Sequence, residues 1–330
     1  MLTIIRDENG QTVHDTDAAI LPRLMADGSK PFWLDLQSPS PEEFDLLKEV
    51  FHFHPLAIED AMNPRQRPKL DEYNGYFFLT ADEIKVDLDL ESASLTSKDA
   101  KDRVQMRQMS VFLGPNYLVT IHLEPIAVIL SMRERCDRNH RLLEHGADYL
   151  LYTLLDSLAD NYFPILDELA DTLDDLEDRI IAKSSEDILE TIFVIKRVLN
   201  LLRKHVGPFR EVMQTLTARD LCGIQEAALP YFRDVADHLF RVYESLDNYR
   251  DIMSGMLDAH LTQVSNNMNR VMQKLSAVAT VFLPITFVTG VFGMNFSKQP
   301  WVNTNFWFWA FFMLAVATFT YWWFHRRQWV

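Results

Sequence analysis

Stepping by three, four and seven residues along the C-terminal third of the chain picks out Asp258, Ser265, Asn269, Met272, Ser276, Ala279, Leu283, Thr286, Gly290 and Gly293. Small and polar side chains in a membrane-crossing helix have two physical uses: close helix packing, or the lining of a water-filled path. The stripe ends in Gly293-Met294-Asn295. Symmetric copies of such a helix around an axis would stack the Asn295 carboxamides in a ring. Amide oxygens suit a hard divalent cation, and a wide ring holds it through its water shell, which spares Mg²⁺ its large dehydration cost. Met272, Leu275 and Leu283 would then form apolar constrictions that close by dewetting.

These side chains need a membrane helix to position them, and the sequence supplies two. Leu275 to Met294 is a continuous apolar run, and Phe306 to Phe324 is a second. At about 1.5 Å per residue each run spans roughly the 30 Å of bilayer hydrocarbon. Lipid cannot satisfy exposed backbone polar groups, so both runs must be helices, with spans at about 275–295 and 306–324. Arg270 and Lys274 precede the first span, and Arg326 and Arg327 follow the second. Lys298 alone lies in the connecting loop. The N-terminal MLTIIRDENG carries no basic, apolar signal pattern. The expectation is a multi-pass protein of the plasma (inner) membrane with both termini in the cytoplasm.

The remainder reads as α+β. Residues 1–145 form an α/β domain: PFWLDL, GYFFLTADE, QMRQMSVFLG and NYLVTIHL have strand character, and PEEFDLLKEV and HPLAIEDAM helical character. Residues 146–274 form a long-helix bundle. One helix is expected from Ala147 to Ala182 and, after Lys183-Ser184-Ser185, a second over 186–219 makes an antiparallel hairpin. A third runs from Pro230 to Asn295, about 100 Å if unbroken, with Pro284 as a tolerated membrane proline rather than a gate. A helix of that length needs parallel copies of itself to cover its apolar stripe, which points to a homo-oligomer. Residues 275–330 are the transmembrane pore domain.

The formal net charge is −15. Segment 275–330 has three basic residues and no acid, so the soluble part carries −18. That charge repels nucleic acid and anionic surfaces and attracts cations. Asp156, Asp160, Asp167, Glu168, Asp171, Asp174, Asp175, Glu177 and Asp178 concentrate it on one helical stretch, as a solvated face or a cation reservoir. Cys136 and Cys222 read as buried structural thiols, and His52, His54 and His325 as structural or interfacial groups rather than ligands. The chain has ten glycines and no GxGxxG, GxxxxGKS, GxSxG or HExxH. Neither an enzyme, a nucleotide site nor an organic cofactor is therefore expected. A divalent cation is expected as substrate and regulator, with membrane lipid and further copies of the chain as partners.

The stretch SNNMNRVMQKLSAVATVFLPITFVTGVFGMNF, the two C-terminal spans and the basic RRQW tail closely resemble the CorA family of divalent cation channels. HPLAIEDAMNPRQRPKL, ADYLLYTLLDSLADNYF, LPYFRDVADH and YRDIMSGMLDAHLTQVSNN also look like family segments. The resemblance implies a pentamer with a cytoplasmic funnel, and a filter at Gly293, Met294 and Asn295. It implies pore-lining positions at Asp258, Asn269, Met272, Leu275, Leu283, Thr286 and Gly290. It also implies a regulatory cation site between neighbouring subunits, with Asp60 from one and Asp234 from the next, and Glu59 and His238 nearby. A bound cation there would bridge carboxylates that otherwise repel, holding the funnel shut.

One segment departs from the family pattern. Magnesium members carry an acidic loop after GMN, whereas Phe296-Ser297-Lys298-Gln299-Pro300-Trp301 has no acid and one lysine. The related ZntB zinc branch also lacks acid there, but replaces the filter methionine that this chain keeps. The filter therefore points to Mg²⁺ and the loop to Zn²⁺ or another transition metal.

Overall fold

In the runs Phe32–Leu36, Phe77–Glu83 and Tyr117–His122 every residue is buried, which requires protein on both faces of the strands they form. A computed structural model describes residues 1–28, 30–63, 66–88, 103–182, 188–219, 221–294 and 306–326. Contacts divide it into two compact units, Met1–Met256 and Leu257–Val330.

The first unit is built on a seven-stranded sheet: β1 (Leu2–Asp7), β2 (Thr12–Asp15), β3 (Phe32–Gln37), β4 (Lys69–Tyr73), β5 (Tyr76–Val86), β6 (Val104–Leu113) and β7 (Tyr117–His122). Their order is β2-β1-β3-β7-β6-β5-β4. Only β3 and β7 pair in parallel. Helices α1 (Leu21–Asp27), α2 (Pro41–Glu49) and α3 (Pro55–Met62) close one aromatic-rich core that includes Phe32, Phe53, Phe78 and Phe112. The helices α4 (Ala127–Arg138), α5 (Arg141–Glu144), α6 (Ala147–Asp160), α7 (Tyr162–Ile181) and α8 (Ile188–Ala218) complete the unit with the start of α9 (Leu229–Phe292), while α10 (Phe306–Arg326) lies in the second. Packing between α6 and β7, and between α8 and both β4 and β5, covers the sheet from the helical side.

Local chemistry explains where the elements start. Ser40 and Glu43 form a reciprocal capping box at α2, with Pro41 as its first residue. The His54 imidazole accepts the Leu56 N–H at 3.2 Å and so caps α3, while the His54 backbone N–H donates to the Tyr76 hydroxyl at 2.7 Å. The expected single helix over 147–182 divides at Asn161. Pro164 has no N–H for the Asp160 carbonyl, and its ring opposes that carbonyl, so the helix restarts at Tyr162. The turn expected at Lys183-Ser184-Ser185 lies outside the described residues. α9 begins one residue before Pro230 and continues through Pro284, as a membrane proline permits.

Charged side chains inside the sheet have specific partners, although Glu83 Oε2 accepts no hydrogen bond and lies 3.8 Å from Arg107. Asp35 is completely buried and accepts hydrogen bonds from Thr120 and from Arg133 of α4, with His122 at 3.3 Å. Trp33 in turn donates to Thr120 at 2.9 Å. Asp82 meets His205 of α8 at 2.6 Å, and Glu83 accepts the Val128 N–H in the first turn of α4. Removing one partner of a buried pair leaves an uncompensated charge, at a cost of about 3–5 kcal/mol. Arg133→Ala is therefore expected to lower the thermal midpoint of the purified full chain by roughly 10 °C. The double change Asp35→Asn, Arg133→Met should recover most of that loss.

Candidate metal centre and pore helix

α3 presents Glu59 and Asp60 beside each other, with Glu59 exposed and Asp60 partly buried. Asp60 is held within its own chain. Gln66 donates to one carboxylate oxygen, and the Lys69 ammonium reaches the other at 2.5 Å. Burial would raise this carboxyl, but hydrogen bonds from Lys69 and Gln66, with the Lys69 charge, outweigh it and hold the group below its ordinary value. Lys69 also pairs with Asp71 at 2.7 Å.

A second cluster forms where α6 runs beside α9. His238 Nδ1 lies 3.5 Å from Asp160 and 3.9 Å from Asp156, and its Nε2 lies 3.7 Å from Asp234. None of these approaches is a hydrogen bond, and His238 Nδ1 is a buried atom with no hydrogen-bond partner. Ligand atoms of Asp156, Asp160 and His238 all lie within 4.8 Å of one another. An unsatisfied imidazole nitrogen facing two carboxylates fits a divalent cation, since both oxygen and nitrogen donors are offered. Burial, then repulsion by Asp160, raises the Asp156 carboxyl. Tyr152 alongside is pushed up to about 12 by burial and by the Asp156 and Asp234 charges.

Asp234 and His238 are thus brought together, joined by Asp156 and Asp160. Sequence reading had left these two within the acidic stretch, although their four-residue spacing on α6 places both on one helical face. Among the described contacts none joins Asp60 or Glu59 to this cluster.

In the second unit the expected pore-lining residues fall on one continuous helix, α9. Asp258, Asn269, Thr286 and Gly290 are exposed, as are Met272 at 57%, Leu275 at 63% and Leu283 at 71%. Among the described residues of this unit only Ala277 and Phe324 are buried, so a single chain leaves nearly all its apolar helix surface bare. The hydroxyls of Thr280 and Thr289 donate back to the carbonyls of Ser276 and Ile285, which satisfies them without water. Helical bonding extends to Gly293, whose N–H reaches the Thr289 carbonyl at 2.9 Å. Gly293 and Met294 are both exposed, whereas Asn295, the loop Phe296–Trp301 and Arg327 lie outside the described residues. Among the described residues two helices are long and apolar enough to cross a membrane: the C-terminal part of α9, and α10.

An α/β unit continued by a helix that carries its own apolar span, and closed by a second span, defines a two-span membrane protein with its extramembrane mass before the spans. The family described as CorA-like Mg2+ transporter protein matches residues 28–326, and the chain belongs to that family. It is 32% identical over 319 residues to the cobalt/magnesium transport protein CorA of Thermotoga maritima, covering 94% of this chain and 86% of that one. It is 25% identical over 326 residues to the divalent cation transporter CmaX of Pseudomonas aeruginosa, covering 97% and 93%. The fold superposes on the complete CorA magnesium transporter of Methanocaldococcus jannaschii with a TM-score of 0.81 at 22% identity, covering 100% of this chain and 99% of that one.

A raised carboxyl loses proton-binding advantage only above its own folded value. Ionised Asp156 therefore weakens the fold at neutral pH, and the loss is relieved as pH falls through that raised value. In chelator at neutral pH, Asp156→Asn is expected to melt higher than the parent, by about 2–4 °C for each kcal/mol relieved. Added Mg²⁺ should raise its melting temperature less than it raises the parent's, as scanning fluorimetry would show.

Proposed function

We propose that the protein is a homo-oligomeric divalent cation channel whose pore is lined by α9, with Mg²⁺ as its first-choice cation. The observation that carries this reading is that one unbroken helix bears both Asp234 and His238, at a cation-competent cluster, and the stripe from Asp258 to Gly290. Copies arranged around an axis, five in keeping with the family, would turn that stripe inward and α10 toward lipid. Trp307, Trp322 and Trp323, near the two ends of α10, suit the membrane interfaces. The membrane is then the plasma (inner) membrane, with both termini in the cytoplasm.

In this reading Asn295 and its symmetry copies receive the hydrated cation at the outer mouth, with Gly293 and Met294 shaping the ring. Leu283, Leu275 and Met272 form the apolar barrier, and Asn269 and Asp258 continue the polar path below it. The gate is set in the first unit. Asp60 and Glu59 of one subunit face Asp234 of the next, and a divalent cation between them offsets carboxylate repulsion and holds the subunits together. As the cation leaves, repulsion returns and α9 is free to move. Nothing in this scheme needs a nucleotide, so flow follows the cation's gradient and the membrane potential.

Zn²⁺ remains the second reading, favoured by the unacidic loop around Lys298. Purified protein in liposomes separates the cases. Mg²⁺ flux, with Zn²⁺ flux slower and indifferent to a pH gradient, supports the first reading, and the reverse supports the second. Asn295→Ala is expected to reduce flux of the preferred ion to the background of empty liposomes. Unchanged flux in that variant would remove Asn295 from the filter, and none from the parent protein would leave a non-conducting membrane scaffold or sensor instead.

A further inference from the structure

Lys69 occupies an unusual position at the start of β4. Its ammonium contacts Asp60 at 2.5 Å and Asp71 at 2.7 Å, and it lies 5.6 Å from the centre of the Phe78 ring. The backbone around it is pinned. The Lys69 N–H donates to the Thr80 hydroxyl at 3.2 Å, and the Gln66 N–H donates to the Gln108 side chain at 3.0 Å. Movement of the charge is thereby confined to side-chain rotamers. Asp71 lies two residues further along the strand, hence on the same face, and offers the ammonium a second carboxylate.

We propose that Lys69 is a built-in competitor for the regulatory cation, neutralising Asp60 until a divalent ion displaces its ammonium toward Asp71. This rests on the reading of Asp60 as a ligand of the regulatory site. A carboxylate has about four lone-pair directions, so Asp60, with one oxygen on Gln66 and one on Lys69, retains room for a metal. What it lacks in the Lys69-paired arrangement is net charge. A dication approaching Asp60 meets a carboxylate already offset by one positive charge and repelled by it. As the ammonium shifts to Asp71, the Asp60 charge is released, while the lysine stays paired and over the Phe78 face. The two carboxylates flanking the ammonium favour its charged form. The arrangement sets a threshold: the regulatory site fills only at cation concentrations high enough to outcompete a tethered ammonium. It weakens Mg²⁺ and Zn²⁺ alike, because the opposition is electrostatic.

The test measures cation binding rather than transport. Full-length oligomer in detergent is digested with trypsin over a range of MgCl₂, and the concentration giving half-maximal protection is read on a gel. Lys69→Met and Lys69→Gln remove the charge, the second keeping a hydrogen-bond donor, and each is expected to lower that concentration by about tenfold, the scale of a unit charge opposing a dication at contact distance in a watery site. Lys69→Arg keeps the charge and should leave the concentration at or above the parent value. Lys69 lies on an edge strand and is partly exposed, so all three variants should elute as the parent oligomer. The proposal is overturned if the neutral variants need as much Mg²⁺ as the parent or more, or if Lys69→Arg gains affinity as they do. Asp60→Asn serves as the separate check: if it protects at the parent concentration, Asp60 is no ligand and the underlying reading fails, whatever the lysine variants do.

Discussion

Asp156, Asp160 and Asp234 bring three carboxylates around one imidazole, His238, without a hydrogen bond among them. Like charges so placed repel, and burial first, then the Asp160 charge, raises the Asp156 carboxyl. A dication is the simplest species that removes the repulsion, because it offers two charges and several coordination positions at once. α6 meets α9 beside the cluster through ring contacts of Tyr152 with Tyr231 and Phe232. Buried pairs such as Asp35 with Arg133 and Asp82 with His205 tie α4 and α8 to the strands.

α9 couples chemistry to membrane. Its first turns carry the carboxylate and imidazole, and its later turns carry small and polar residues flanked by Val271, Val278, Phe282 and Phe287, all exposed in one chain. Apolar area of that extent is not left in water, so lipid and neighbouring copies must cover it. The small and polar residues are what a water-filled axis requires. The helix is continuous from Leu229 to Phe292, and Pro284 does not interrupt it.

The strands visible in the sequence each carry a run of at least five consecutive buried residues. PFWLDL, GYFFLTADE, QMRQMSVFLG and NYLVTIHL became β3, β5, β6 and β7. β2 and β4 escaped because these edge strands, Thr12–Asp15 and Lys69–Tyr73, mix polar residues with few apolar ones and take their conformation from the strand they pair with, and β1 because its apolar run, Leu2, Ile4 and Ile5, is short and gives way to Arg6 and Asp7. The break at Asn161 was written in Pro164 but masked by strong apolar periodicity on either side. For the site, the likeness to family blocks pointed to Asp60, Asp234 and His238, whereas Asp156 and Asp160 were hidden among nine carboxylates of similar appearance. Only packing of α6 against α9 distinguishes those two from the solvated acids that follow. Lys69 as the partner of Asp60 was equally invisible, since the pairing depends on the chain returning from α3 into β4.

Gating by cation binding at these carboxylates is tested most directly by electrical recording from the reconstituted protein, with Mg²⁺ varied only on the side facing the large N-terminal unit. A cation-gated pore predicts that current falls as Mg²⁺ on that side rises, and that Asp234→Asn conducts but no longer responds. Current indifferent to Mg²⁺ on that side, or an Asp234→Asn response equal to the parent's, would contradict it.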